Sequence, residues 1–219
     1  MLQLLKPRTY KNILFIGANN MSEIEYYARI YKNGIFIEAI PDVFLQLKNN
    51  LERVNKLYNT KFKAVNCLVS NEIGKEYTFN IFNNNGQSSS IYEPNNDVWE
   101  WPSVKQINSI KLISTTIENV LKEHQWENIK YDVVLDVQGA ELDVLNGFGE
   151  NNFKNIEIVN LRTKYANIDY SYAKNADGYY SLNPILVKQV DEATDINTQN
   201  EEDTKNKKIT PKTSEEIKA

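Results

Sequence analysis

Three short stretches place side chains fit for binding or proton transfer just after apolar runs. The first, Gly17-Ala18-Asn19, follows Ile13-Leu14-Phe15-Ile16 and precedes a helical pattern. Small residues at such a turn let a ligand approach the backbone, and a helix start offers free N–H groups. A tight strand-to-helix turn with no ligand would use the same residues. The second is Glu38, which ends an apolar run 38 − 17 = 21 residues after Gly17. A carboxylate at that offset can accept both hydroxyls of a nucleoside ribose; an ordinary surface glutamate is the alternative. The third is Asp136-Val137-Gln138-Gly139-Ala140-Glu141, beyond the run Tyr131 to Leu135. A carboxylate there is costly to desolvate unless it is paired or faces a cleft. Asp136, with Gln138 and Glu141 beside it and Gly139 allowing backbone approach, is therefore a candidate site residue. A helix-capping role is the competing reading of Asp136. Ser88 and Ser89, in the polar stretch 83–90, offer hydroxyls to a ligand or simply build a turn.

Placing these residues requires strands that end where helices begin. Four consecutive large apolar residues from Ile13 read as a short strand buried on both faces. Ser22 and Glu25 form an S-x-x-E capping box for the helix that follows, and Gly34 stands where a C-cap glycine is expected. Ile35 to Ile37 is the second strand. Pro41 and Asp42 then open a helix with Val43, Leu47, Leu51, Val54 and Leu57 on one face. Strand, helix, strand, helix over residues 12–58 is the βαβ grammar of a doubly wound, mostly parallel α/β sheet. Farther on, 61–70 and 75–82 read as strands joined by a hairpin loop at 71–74. Short strands are also expected at 110–114, 131–137 and 156–161, with helices at 116–122 and from Gly139 to Gly147 or Gly149. Trp99 and Trp101 lie in a loop and offer a stacking surface or plain packing.

Composition bounds the rest. With 219 residues and 41% hydrophobic content, the chain supports one α/β domain and excludes wholesale disorder. A net charge of 25 − 29 = −4 and a pI of about 5.3 argue against a nucleic-acid partner, which needs a basic face. One cysteine, Cys67, and one histidine, His124, exclude an intrachain disulfide and His- or Cys-rich metal sites, so no metal is assigned. No apolar run reaches the roughly 18 residues of a membrane span, and the N-terminal residues do not read as a secretory signal, so a cytoplasmic place is expected. From about residue 190 the composition turns polar and charged, which divides the chain into a domain over 1–189 and a disordered tail over 190–219.

The segment from Leu135 through Asp136, Gln138, Gly139 and Glu141 to Gly149 resembles the signature of the FkbM family of S-adenosylmethionine-dependent methyltransferases. Ile37 to Pro41 with Leu47 to Leu51, Leu68 to Ser70 with Gly74, and Asn85 to Ile91 are similar to further family segments in order and spacing. The resemblance spans about residues 12–165. It implies a Rossmann-like class I methyltransferase fold with S-adenosylmethionine as cofactor. Gly17, Ala18 and Asn19 would face its methionine part, Glu38 its ribose, and Ser88 and Ser89 would contribute hydroxyls. The Asp136 to Glu141 loop would border methyl transfer to an acceptor hydroxyl, on a carbohydrate or another small molecule. The chain departs from the family pattern at three places. Phe15-Ile16 replaces an acidic residue before the first-loop glycine, Met21 a glycine, and Ile158 a glutamate. A non-catalytic binding module with an eroded cofactor pocket is the alternative these departures define. A nicotinamide dehydrogenase would require G-x-G-x-x-G, which Gly17 to Ser22 do not supply.

Overall fold

The computed structural model describes residues 12–93, 103–161 and 180–182. The chain divides into two units, Met1–Pro184 and Ile185–Ala219, and all described residues belong to the first. The expected boundary near residue 190, the tail, and Trp99 and Trp101 lie outside the described residues.

The elements in chain order are β1 (Asn12–Ile16), α1 (Ile24–Ile30), β2 (Asn33–Glu38), α2 (Pro41–Tyr58) and β3 (Lys61–Asn66). Then come β4 (Leu68–Val69), β5 (Glu76–Phe82), β6 (Gln106–Thr115) and α3 (Ile117–Glu123). β7 (Tyr131–Leu135), α4 (Glu141–Asn146), α5 (Glu150–Phe153), β8 (Ile156–Leu161) and β9 (Tyr180–Leu182) complete the series. One sheet has the order β3-β2-β1-β7-β8-β9, parallel throughout except for the antiparallel edge strand β9. This is the doubly wound, Rossmann-like α/β architecture expected from the alternation of elements. A smaller sheet, β4-β6-β5, is built by the chain between β3 and α3.

Burial explains why β1 carries no polar alternation. Ile13 and Phe15 on one face pack with Phe36, Val134 and the α1 and α2 residues Ile24, Tyr27, Leu47 and Leu51. Leu14 and Ile16 on the other face are equally sealed, so both faces of the strand must be apolar. Phe15 sits edge-on to Tyr27 at 5.6 Å and stacks on Phe36 at 6.0 Å. The chain steps outward from β1 to β2 to β3, then returns to place β7 on the other side of β1. That reversal puts the C-terminal ends of β1 and β7 side by side, where open α/β sheets leave a crevice.

Several local expectations give way to tertiary partners. The capping box does not form: α1 begins at Ile24 with Glu23 as N-cap and no side-chain cap. Glu25 is drawn to α2 instead, accepting from Arg53 at 2.8 Å and Tyr58 at 3.0 Å, while Ser22 donates to Glu23. Gly34 is not a C-cap but lies inside β2, where a Cβ would come within 2.6–3.0 Å of Phe36, Ile13 and Phe62. Leu57, expected on the buried face of α2, is 65% exposed. The run over 61–70 breaks at Cys67 into β3 and β4, which belong to different sheets. Residues 71–74 therefore make no hairpin, because β6 lies between β4 and β5. β6 itself starts at Gln106, earlier than the apolar signal at Ile110, since its first half is solvent-facing and polar.

Candidate functional site

A cleft open to solvent lies beyond the C-terminal ends of β1, β2 and β7. Its floor is the turn after β1. Gly17 has φ +76, and a Cβ there would lie 2.0 Å from the Asp136 carbonyl oxygen, so no other residue fits. The N–H groups of Gly17 and Ala18 both donate to the Ile37 carbonyl, at 3.0 and 2.9 Å, while Asp136 N–H donates to Ile16. These bonds lock the three strand ends together. Gly17 and Asn19 line the cleft; Ala18 does not, and is buried in the core beneath it.

Glu38 is 5% exposed and lies in the cleft wall. Its Oε2 accepts from Asn19 N–H and its Oε1 from Ile40 N–H, both at 2.8 Å. Burial raises its pKa above the ordinary carboxylate range, and the backbone donors at Ile40, Asn19 and Ala39 pull the other way. Asn19 donates through Nδ2 to Asn85 at 2.9 Å, which ties the 83–90 stretch to the floor, and its Oδ1 is buried without a partner.

Asp136 and Gln138 face the cleft together, and Gln138 Nε2 donates to Asp136 Oδ1. Glu141 is elsewhere. It is 2% exposed, lies outside the cleft lining, and folds back to accept the Gly139 N–H at 3.1–3.2 Å. Burial raises its pKa, against the pull of its backbone donors. Its carboxylate is taken up by the turn that carries Gln138. The serines divide likewise. Ser89 lines the cleft and accepts from Phe82 N–H at 3.2 Å, whereas Ser88 turns away to Asn84 at 2.8 Å.

The far end of the cleft was not legible from the sequence. Ala39, Cys67, Leu68, Val69, Phe79 and Ile91 form an apolar wall there, with Gly86 and Gln87 at its rim. These residues come from β4, β5 and loops that meet only through the second sheet. Burial, and after it the charge of Glu123, pushes the Cys67 thiol pKa up to about 12, so this cysteine is an inert wall residue. The departures from the family pattern also find their places. Phe15 points into the aromatic core and Ile16 into the cleft wall. Met21 holds φ +51 with a fully buried side chain, and Ile158 is half-buried on β8, outside the cleft.

Fold and cleft together define a doubly wound α/β domain with a crevice at its strand reversal. A family model described as the methyltransferase FkbM domain matches residues 16–203, and the chain belongs to that family. The match runs past residue 190, into the segment read as a tail. Among solved structures, the chain is similar to methyltransferase FkbM from Methylobacillus flagellatus KT, with 12% identity and a TM-score of 0.41. That similarity covers 69% of this chain and 32% of the other, so the chain spans about a third of that protein's length. No curated protein matches. Among the described residues, no helix is long and apolar enough to cross a membrane.

Proposed function

We propose that the chain is an S-adenosylmethionine-dependent O-methyltransferase whose cleft holds the cofactor and whose acceptor is a carbohydrate hydroxyl. The observation that carries this reading is the charge of the cleft. Among the described residues, its wall contains two carboxylates, Glu38 and Asp136, and no lysine, arginine or histidine. A ligand bearing a sulfonium and an ammonium suits such a wall, while the phosphates of a dinucleotide would meet two anions and no cation.

The residues present fit the cofactor part by part. Each Glu38 oxygen accepts one backbone N–H and keeps a lone pair for a ribose hydroxyl. Leu68, Val69, Phe79 and Ile91 offer an apolar slot for a base, and Gly17 and Asn19 a floor for the methionine end. When bound, the cofactor supplies an electrophilic methyl group. Asp136 then holds the acceptor hydroxyl and takes its proton, with Gln138 fixing the carboxylate that does so. Holding the two reactants in line supplies much of the rate. A cytoplasmic setting fits a chain with a single, half-buried cysteine.

A second reading, a binding module that no longer transfers methyl groups, draws on Ile16 and Val137. Both line the cleft near Gly17, and Ile16 stands where the family pattern has an acid. Calorimetry with S-adenosylmethionine, its demethylated product and NAD, followed by transfer assays on a sugar panel, separates the two. Binding of the first two and not NAD, with transfer, is expected. Binding without transfer favours the module, and no binding of S-adenosylmethionine defeats both.

A further inference from the structure

The Gln138–Gly139 turn presents Gln138 to Asp136, and its backbone is strained. Gln138 has φ +54 and Gly139 φ +104, two successive residues in a region that a glutamine adopts only when its surroundings impose it. One support lies beneath: the Glu141 carboxylate accepts the Gly139 N–H. The other lies outside. Among the described residues, leaving out the chain neighbours of Gly139, the Tyr92 ring is the group near its open side, with its Cδ2 3.8 Å from where a Cβ would stand. Tyr92 is itself tied at three atoms. Its hydroxyl donates to Asp143 Oδ2 at 2.6 Å, its N–H donates to Ser90 Oγ at 3.1 Å, and its carbonyl accepts from Asn80 Nδ2 at 3.2 Å.

We propose that Tyr92 is a positioning residue: its hydrogen bond to Asp143 latches the Ser90–Tyr92 segment over Gly139 and so holds Gln138 against Asp136. The latch joins β5, through Asn80, to α4, through Asp143, and its neighbour Ile91 lines the cleft. The Asp143 bond, with burial second, pushes the phenol pKa up to about 12, so the donor proton stays in place at neutral pH. Tyr92 is 49% exposed, which makes the latch one that water can open. Opening frees the turn and parts the segment bearing Ile91 from the segment bearing Gln138, which together flank the acceptor side.

The geometric part stands on these contacts alone; the effect on transfer rests on the reading of Asp136 as the proton acceptor. The test is hydrogen exchange over peptides spanning 136–141 in the full chain without cofactor, for wild type, Tyr92→Phe, Asp143→Ala and the double variant. Losing one hydrogen bond is expected to speed exchange at 138–140 by about fivefold with the melting temperature unchanged. The double variant should match the singles. Unchanged exchange in Tyr92→Phe, or additive effects in the double variant, overturns the latch. In transfer assays the same variant should lose roughly tenfold in kcat at constant cofactor Kd. Faster exchange with undiminished kcat overturns the positioning role. If wild type binds no S-adenosylmethionine, the proposed function falls, and the exchange data still decide the latch.

Discussion

Glu38 after β2 and Glu141 after β7 are chemically alike and occupy similar surroundings. Both are almost sealed from solvent, both carboxylates accept loop N–H groups, and burial raises both pKa values. Yet the β2–α2 turn aims its glutamate into the cleft, whereas the β7–α4 turn folds its glutamate underneath and leaves Asp136 and Gln138 facing the cleft. The difference lies in what does the holding. Glu38 is fixed by main-chain donors on either side, so its wall of the cleft is set by backbone. Asp136 is held through a side-chain amide on a strained turn, so its wall is set by a side chain. A buried, perturbed carboxylate does not mark a reacting group unless it also opens on the crevice.

The comparison breaks most completely at Gly17, where the two turns touch. Gly17→Ala would drive a methyl group into the Asp136 carbonyl at a φ of +76. It should cost roughly 3 kcal/mol or more of stability, read by urea unfolding, and disturb both sides together. Wild-type stability in this variant would contradict the shared floor.

Asp136→Asn should separate the sides. Turnover is expected to fall by about 10²–10⁴ while the cofactor Kd scarcely changes. Equal losses in transfer rate and cofactor affinity would move Asp136 to the cofactor side.

Glu38→Ala should do the reverse, weakening S-adenosylmethionine by roughly tenfold to a hundredfold in calorimetry. Because Glu38 also accepts from Asn19 and Ile40, this variant strands two buried N–H groups and should lose about 1–3 kcal/mol of stability as well. Affinity unchanged in a folded variant would leave Glu38 a loop staple like Glu141.

The smallest effect is in pH dependence. A carboxyl whose folded pKa is raised binds its proton more tightly folded than unfolded. Its stabilisation is fully present below the ordinary 4.5 and is lost as pH rises through the raised value. Glu141→Gln should therefore flatten the loss of unfolding free energy as pH rises above the ordinary 4.5, without touching cofactor affinity. A slope as steep as wild type would show that Glu141 does not titrate in the folded chain.

The parallel sheet and the cleft floor were legible in the sequence because both follow from local rules. A doubly buried strand must be an apolar run, and the turn that ends β1 must be small. Glu38 and Asp136 line the cleft because they are charges placed directly after such runs. Glu141 lies outside the lining, since spacing along a turn does not tell which side of it a carboxylate takes. The apolar wall and Tyr92 were missed because β4, β5 and β6 pair out of sequence order. Ser22 and Glu25 failed as a cap because Arg53 and Tyr58, on another helix, offered Glu25 better partners.

The smaller sheet has a consequence for how this domain can change. The segment between β3 and α3 pairs its own strands, rests on the start of α2 through Ile40 and Val43, and is tied to the scaffold at Asn85–Asn19 and Tyr92–Asp143, while the parallel sheet closes without it. One bank of the cleft is thus a cassette, spliced between two fixed points of the scaffold. Its length and side chains can drift, or be exchanged by design, while the opposite bank stays bound by the packing of β1, β2 and β7.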